Sequence, residues 1–440
     1  MIGPSSPRLL IATVLAAGLA AVLPMQAGAQ PATEPAAQTG SRPAGPASPQ
    51  VGATVSAQEL RALEQRLNAS QQQIEQLRES LEQMSSGLSR SVSHTGVPLH
   101  GFADAGAGWS SREDPSRLRG FGVGTLDLYL TPQFGNHVKS LMEIAFYYRT
   151  DGTGEVEAER MQVGYALDDS LTVWAGRFHT PIGLWNTAYH HGANLQTSIY
   201  RPRFIDFEDR DGLLPTHSIG LWGSGKTDIA AGKIAYDIYL SNGPTVRRGT
   251  LDYNAFSDDN GGKLLGFNLT WRPHTALRGA SLGVHGFGST VDTRLASGAL
   301  HSRTRVRMWG GHFGYDAQSW EALAEVYHFA NSDAASGASR TSQAGYVQLG
   351  HSFGWLTPYL RHERAALDGA DNFFATQRVG RSYARSSIGM RYDLDPKAAL
   401  KVEFGATREK AATLIDDTGA ASAVAPARYR RLAVEYSIAF

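Results

Sequence analysis

The sequence has no cysteine at any of its 440 positions, which excludes disulfides, thiolate metal ligands and a cysteine nucleophile. Neither sign of charge is in excess, with 41 Lys and Arg against 41 Asp and Glu, so nothing indicates nucleic-acid binding. Aromatic residues are missing before Phe102, although the chain holds 17 Phe, 17 Tyr and 8 Trp. The chain therefore divides near residue 100 into an aromatic-free part and an aromatic-rich part.

Long hydrophobic runs are also missing after residue 23. Before that point, Arg8 precedes the apolar run 9–23, and Ala27-Gly28-Ala29 supplies small residues for a cleavage site. The run is short for a spanning helix of roughly 20 residues, which disfavours the alternative of a single membrane anchor. The pattern predicts a secretory signal peptide over residues 1–29, and therefore export.

Two further segments precede the aromatic part of the chain. Residues 30–55 are rich in Pro, Ala, Gly and Ser, a composition typical of a disordered linker. Residues 56–92 have a seven-residue apolar period, which predicts a short α-helical coiled coil and hence self-association, as a dimer or a trimer. The alternative is an amphipathic helix lying against its own protein. The period is carried by Leu60, Leu63, Leu67, Ile74, Leu77, Leu81, Met84 and Leu88.

From residue 98 to residue 440 the apolar period changes to two. Segments such as KSLMEIAFYYR (139–149) and ALKVEFGAT (399–407) alternate over about ten residues between turn-like residues. Such segments are typical of a transmembrane antiparallel β-barrel, and their number predicts about 16 strands. The fold class is therefore all-β, preceded by the helical coiled coil.

The predicted connections alternate between short turns and longer loops, as in bacterial outer-membrane barrels. Five tryptophans lie close to predicted short turns, which favours an aromatic girdle at the inner interface; they are Trp174, Trp222, Trp271, Trp320 and Trp355. The segment RYRRLAVEYSIAF (428–440) alternates to its last residue. It predicts a closing strand that pairs with the first strand, in which Arg431 and Glu435 face the lumen. Tyr436, Ile438 and Phe440 would form an assembly signal.

The stretch GLWGSGKT (220–227) matches the phosphate-binding P-loop pattern. That motif needs a following helix whose amino terminus faces the phosphates. Here the residues that follow alternate with period two, so the sequence favours a glycine-rich β-hairpin and no nucleotide site.

The longest predicted connection, within 177–218, is dense in groups that contact solutes. A loop of this length inside a compact domain is usually functional, and charged side chains at a constriction select ions and organic solutes. The alternative is a loop packed over the barrel rim. The candidate constriction residues are Arg177, His179, His190, His191, Arg201, Arg203, Asp206, Glu208, Asp209, Arg210 and Asp211.

Neither a metal site nor a catalytic set is predicted in this region. Adjacent histidines on an extended segment point to opposite sides, so His190 and His191 do not form a site together. No serine, histidine and acid pattern, and no selected pair of carboxylates, indicates an enzyme. The sequence also gives no sign of a nucleotide, metal or redox cofactor.

The alternation assigns charged residues to the lumen, because a charge on the lipid face at mid-membrane costs about 2–4 kcal/mol. The arginine excess favours anionic or carboxylated solutes. The predicted lumen-facing residues are Lys139, Glu143, Arg149, Arg160, Arg305, Arg307, Arg385 and Arg391.

In layout, the whole mature chain resembles the outer-membrane porins, most of all the phosphate-selective porin O/P-like group and related porins with a periplasmic coiled coil. The stretch VWAGRFHTPIGLWN (173–186) is similar to the segment G-[RK]-F-x-T-P before the inward loop of that group. The resemblance implies a homotrimer of water-filled barrels whose terminal aromatic is read by the barrel-assembly machinery. The chain departs from the group's lysine-rich constriction, since residues 178–216 have three arginines, four carboxylates and no lysine. Phosphate selectivity is therefore not expected.

These observations predict a porin of the Gram-negative outer membrane, with the coiled coil in the periplasm. It would let small hydrophilic solutes diffuse passively. Its expected partners are further copies of itself, outer-membrane lipids and the assembly machinery. Two alternatives remain at this point: a structural envelope tether with the barrel as anchor, or an outer-membrane hydrolase.

Overall fold

The computed structural model describes residues 99–112, 120–148, 153–189, 192–207, 212–252, 260–274, 277–317 and 319–440. The predicted signal peptide, linker and coiled coil lie outside the described residues. Sixteen strands form a closed antiparallel barrel, which confirms the predicted fold class. The strands are β1 (Leu99–Ser110), β2 (Gly120–Leu130), β3 (Val138–Tyr148), β4 (Gly154–Ala166), β5 (Thr172–His179), β6 (His217–Ile229), β7 (Gly232–Asn242), β8 (Lys263–Pro273), β9 (Ala280–Arg294), β10 (Leu300–Ala317), β11 (Trp320–Asp333), β12 (Ser339–His351), β13 (Leu356–Ala366), β14 (Tyr383–Asp395), β15 (Ala398–Glu409) and β16 (Ala427–Ala439).

Closure of the barrel joins β16 to β1. The register runs from Phe102 opposite Ala439 to Ser110 opposite Arg431. The Phe440 amide donates to the Gly101 carbonyl at 3.0 Å, and the Gly101 amide donates to the Phe440 carbonyl at 3.1 Å. Closure removes the sheet edges, which leaves no unpaired row of backbone groups to face lipid.

The connections at one end of the barrel are tight. Ala230 and Ala231 alone separate β6 from β7, and Pro396 and Lys397 separate β14 from β15. The P-loop-like stretch 220–227 lies entirely within β6, and a hairpin follows it. Without a helix to supply an amino terminus, it has no phosphate-binding geometry.

The outer face of the barrel carries exposed apolar side chains. On β13–β16, Leu360, Ile388, Phe404 and Leu432 stand side by side in register, and all four are exposed. A continuous apolar band on a closed barrel is what a bilayer requires.

The tryptophans differ in part from the predicted girdle. Trp320 and Trp355 are exposed on the outside. Trp174 and Trp222 turn inward, where their indole N–H groups donate to Ser224 Oγ at 3.1 Å and to Asp237 Oδ1 at 3.0 Å. Polar partners inside the barrel satisfy these donors, which lipid could not do.

Helices are few and short in the described part of the chain. They comprise α1 (Trp185–Ala188), α2 (Asn372–Ala375) and the 3-10 turns Ala193–Leu195 and Arg203–Ile205. In the described ranges, no helix has the length and apolar character needed to cross a membrane. Short strands also occur in the connections, at Gln133–Phe134, Thr245–Arg247, Thr250–Leu251, Ala412–Ile415 and Ala421–Val424.

Candidate functional site

The connection between β5 and β6, residues 180–216, is called the inward loop below, and its described residues, 180–189, 192–207 and 212–216, lie inside the barrel. Its backbone is hydrogen-bonded to side chains of β8, β11, β13, β14 and β15. In a ring of sixteen strands, β13 and β14 stand opposite β5 and β6. The loop therefore crosses the interior and does not pack over the rim.

Glu325 of β11 holds the start of the inward loop. Its carboxylate accepts hydrogen bonds from the amides of Leu184 at 3.0 Å and Trp185 at 2.8 Å. It also accepts from the hydroxyls of Tyr327 and Tyr346, each at 2.8 Å. Glu325 is 1% exposed, so these four donors replace the water that a buried carboxylate loses.

Gly183, immediately before this anchor, is a position where only glycine fits. Its φ is +64°, and a Cβ atom there would lie 1.8 Å from Glu325 Oε2. Its carbonyl accepts a hydrogen bond from Asn268 Nδ2 at 3.2 Å. The glycine therefore allows the chain to turn against the carboxylate that anchors it.

Two more buried glutamates hold the middle of the inward loop. Glu403 of β15 accepts from the amides of Ile199 at 3.1 Å and Tyr200 at 3.2 Å. Glu363 of β13 accepts from the Arg203 amide at 2.6 Å. With Glu325, they form three fixed points along the loop.

Basic residues of the same wall bind the loop carbonyls. Arg361 Nη1 donates to the Tyr200 carbonyl at 2.8 Å, and Arg385 Nη2 donates to the Arg201 carbonyl at 2.7 Å. Arg391 donates to the Gln196 carbonyl at 3.1 Å, and Lys401 donates to the Ala193 carbonyl. The glutamates of this wall thus accept hydrogen bonds from N–H groups of the loop, and its cations donate hydrogen bonds to C=O groups of the loop.

Apolar packing holds the side of the inward loop that faces β11 and β12. Trp185 is fully buried, with its ring 5.8 Å from that of Tyr346. Phe204 lies 5.5 Å from the ring of Tyr327 and 5.7 Å from that of Phe329. Burial of such aromatic side chains contributes about 1.5–3 kcal/mol each. This sector of the barrel interior is packed like a protein core.

On the opposite wall, an ionic cluster lines β3–β6. Glu143 of β3 forms an ion pair with Arg160 and lies 3.3 Å from His179 Nε2. Glu159 of β4 lies 2.8 Å from His217 Nε2. The two histidines are cross-strand partners with ring centroids 5.5 Å apart. The cluster thus places carboxylates of β3 and β4 against basic groups of β4, β5 and β6.

Arg177 of β5 links two carboxylates of this cluster. Its Nη2 atom lies 2.9 Å from Glu157 Oε1 and 3.7 Å from Glu159 Oε2. The Phe207 ring of the inward loop stacks on His217 with centroids 6.2 Å apart. This contact joins the loop to the second wall.

The described candidate constriction residues of the loop, Arg201, Arg203 and Asp206, are engaged within the protein. Arg201 donates to Asn186 Oδ1 at 2.9 Å and lies 4.3 Å from the Phe207 ring centroid. Arg203 forms a buried ion pair with Glu409. Asp206 is buried and accepts the Phe207 amide at 3.0 Å. The predicted residues His190, His191, Glu208, Asp209, Arg210 and Asp211 lie outside the described residues.

The predicted lumen-facing residues divide in two. Lys139, Glu143, Arg160, Arg385 and Arg391 lie on the inner face by strand alternation and contacts, whereas Arg149 lies outside the described residues. Arg305 and Arg307 of β10 are exposed on the outer face, opposite to the predicted orientation.

The reversal on β10 has a physical cause. The strand has 18 residues, more than the 9–11 or so that cross a bilayer, so its first half stands beyond the lipid. There the inside is apolar, because Val306 and Met308 are buried in the interior cluster, and the outside is water. In this half of the strand, apolar residues therefore point inward and arginines point outward. This orientation is the reverse of the one expected in the membrane-spanning part, where apolar residues face lipid.

Sequence reasoning missed most of the anchoring residues. Their alternation was visible in EVEAER (155–160), YLRHER (359–364) and LKVEFGATRE (400–409). Nothing in the sequence marks their partners, because backbone amides and carbonyls of a loop carry no residue signature. The missed residues are Glu157, Glu159, His217, Glu325, Arg361, Glu363, Lys401, Glu403 and Glu409.

In the described ranges, no group of three or more His, Asp or Glu residues has the arrangement needed to hold a metal ion. The ionic cluster on β3–β6 fits this finding, since Arg160 and Arg177 occupy the carboxylates that a metal would need.

No protein-family model and no curated protein matches the sequence. Solved structures do match the fold. An anion-selective porin from Comamonas acidovorans aligns with a TM-score of 0.52 and 13% identity, over 78% of this chain and 99% of that chain. The trimer form of OmpT, an outer membrane protein of Vibrio cholerae, aligns with a TM-score of 0.51 and 9% identity, over 78% and 99%. At these identities the likeness shows a shared barrel fold.

Proposed function

We propose that the chain is an outer-membrane porin, a channel for passive diffusion of small hydrophilic solutes. The observation that carries the proposal is the inward loop, which crosses a closed barrel and is held by buried charges on the far wall. A barrel that served only as an anchor would not need a charged interior organised around a constriction. No catalytic step is assigned to the chain.

The apolar outer band and the predicted signal peptide support the outer membrane as the location. The predicted coiled coil would lie in the periplasm. Its heptads support a homotrimer, in which coiled coil and barrel wall both contribute contacts. Tyr436, Ile438 and Phe440 on the closing strand are the proposed assembly signal, read by the barrel-assembly machinery.

For ion preference, we propose a weakly selective channel. An anion preference was expected from arginines that face the lumen. Arg305 and Arg307 face outward and cannot contribute to it. Arg203 and Arg385 form ion pairs with Glu409 and Glu363. Paired charges give a strong local electric field with little net charge. The size and dipole moment of a solute would therefore affect its passage more than the sign of its charge. A reversal potential measured across a salt gradient decides between weak selectivity and a marked anion preference.

The direct test is single-channel conductance of the purified protein in a planar bilayer. Because the chain has no cysteine, one introduced thiol can report on one position. We expect Lys139→Cys, on the inner face of β3, to lose conductance when a charged methanethiosulfonate reagent is added. The matched control is Ile144→Cys, which points to lipid on the same strand and should be unaffected. A silent bilayer, or equal block at both positions, would contradict the channel and favour a tether.

A further inference from the structure

Four arginines on the outside of the barrel form a patch that the channel does not use, called the basic rim here. They are Arg364 of β13, Arg408 of β15, and Arg428 and Arg430 of β16, and all are exposed. They lie at the strand ends that lead into the longer connections, 367–382 and 410–426. In the orientation of the proposed function, this is the cell-exterior side.

The strand register places these charges next to one another. Arg364 is opposite Ala384, Ala384 is opposite Arg408, and Arg408 is opposite Arg428. Like charges directly opposite each other on neighbouring strands destabilise a sheet. Arg430 follows one step below, beside Ala406. The arrangement is unfavourable unless an anion lies between the guanidinium groups.

The protein supplies no such anion in its described part. None of the four side chains has an ion-pair partner among the described residues. The outward positions of β13–β16 carry no Asp or Glu, apart from Asp395, the last residue of β14, at the opposite end of the barrel. Carboxylates are as common as cations in the whole chain, so their absence here leaves a local positive surface.

The surface directly below the basic rim is apolar. The next register rows hold Leu360, Ile388, Phe404 and Leu432, then Pro358, Met390, Val402 and Val434. The row of Arg430, between Arg408 and these apolar rows, also holds Ala406, together with His362 and Ser386, which are hydrogen-bonded at 2.9 Å. A ligand that satisfies both surfaces must have an anionic head and long apolar chains.

The depth of the basic rim fits a lipid headgroup. From Phe440 to Arg430 are ten residues, which at about 3.4 Å per residue and a tilt of about 40° span roughly 26 Å of membrane. The apolar band of such barrels is about 25 Å tall. Arg430 therefore stands where acyl chains end and headgroup phosphates begin.

We propose that the basic rim binds the phosphate groups of a phosphorylated glycolipid in the outer leaflet, with its acyl chains against the apolar rows below. Guanidinium groups bind phosphate through paired hydrogen bonds, which suits two arginines that share one anion. The inference relies on the proposed membrane location and does not depend on solute transport. Free phosphate has no chains to bury, so it would bind far more weakly.

The test compares two double variants of the full-length protein. Arg408→Gln with Arg428→Gln removes the cross-strand pair, and Arg305→Gln with Arg307→Gln is the matched control with exposed arginines elsewhere. The probes are phosphatidylcholine vesicles containing bisphosphorylated lipid A, vesicles with its dephosphorylated form, and inorganic phosphate alone. Binding is measured by native mass spectrometry and by the shift of the thermal unfolding midpoint.

We expect the phosphorylated glycolipid to raise the unfolding midpoint of the unchanged protein, and the rim variant to bind it at least about tenfold more weakly. The control variant should keep its binding, and inorganic phosphate should give no shift. Equal loss in both variants, retained binding in the rim variant, or equal binding of the dephosphorylated lipid would overturn the proposal. Single-channel conductance distinguishes a failure of the lipid-binding proposal from a failure of the channel proposal. The rim variant should still form channels of unchanged conductance.

Discussion

The inner and outer faces of β13–β16 each carry four arginines, yet their surroundings differ completely. Inside, Arg361, Arg385, Arg391 and Arg431 share their face with five carboxylates, among them Glu363, Glu403 and Glu409. Outside, the four arginines of the basic rim have none beside them. A buried guanidinium needs a carboxylate because water cannot reach it, whereas an exposed one can remain hydrated or take a ligand. On β13–β16, therefore, the arginines that face the interior have carboxylates beside them, and the arginines that face outward do not.

The largest expected effect comes from breaking an inner pair with Glu403→Ala. The change leaves Arg361, which is fully buried, without its 3.4 Å partner, and removes the acceptor for the Ile199 and Tyr200 amides. We expect a loss of about 3–5 kcal/mol in the free energy of unfolding. Urea unfolding in lipid vesicles measures it. Ala406→Ser, an outward change on the same strand, is the control and should have almost no effect.

The comparison can be sharpened by moving a charge down the outer face. Val402→Arg places a guanidinium in the apolar rows, where neither water nor a carboxylate is available. The expected cost is about 2–4 kcal/mol, in the same vesicle assay. The comparison variant is Arg408→Val, which changes a residue at the headgroup level. If Val402→Arg lowers the free energy of unfolding by less than Arg408→Val does, the outer face is not in contact with lipid at Val402.

A smaller effect is expected from Glu325→Gln. The amide keeps the shape of the side chain but leaves fewer acceptors for the Leu184 and Trp185 amides. We expect a loss of about 1–3 kcal/mol and larger, noisier single-channel conductance, because the start of the inward loop is released. Unchanged conductance together with reduced stability would mean that this part of the loop does not restrict the pore.

The smallest expected effect is that of Arg408→Gln alone. In detergent without anionic lipid, stability should change by no more than about 0.5 kcal/mol, and it should rise if repulsion with Arg428 matters. A loss above 1 kcal/mol or so in that detergent would mean that Arg408 has a structural partner in the protein. The same unfolding assay gives this value.

The sequence predicted the barrel because one rule, alternation against lipid, holds along most strands. Ile388, Met390 and Tyr392 obey it, and so do Leu432, Val434 and Tyr436 on the closing strand. The rule fails on β10 at Arg305 and Arg307, because that half of the strand borders water outside and an apolar core inside. The separate prediction of an aromatic girdle is wrong for Trp174 and Trp222, whose indole N–H groups have polar partners in the interior.

Less of the candidate site than of the barrel fold could be predicted from the sequence. Length and composition identified the inward loop, and Arg177, His179, Arg201 and Arg203 do lie in or beside it. Their partners could not be predicted, because Arg203 meets Glu409 across a sequence separation of 206 residues. Only the closed barrel brings such distant positions together.

The attachment of the inward loop to late strands has a consequence for folding kinetics. The Ile199 amide binds Glu403 across 204 residues, and the closing strand β16 must pair with β1 before the ring is complete. Contacts of such high sequence separation form slowly, because a long chain segment must be ordered before they yield any stabilisation. The loop should therefore reach its final conformation last, after the wall that holds it has assembled.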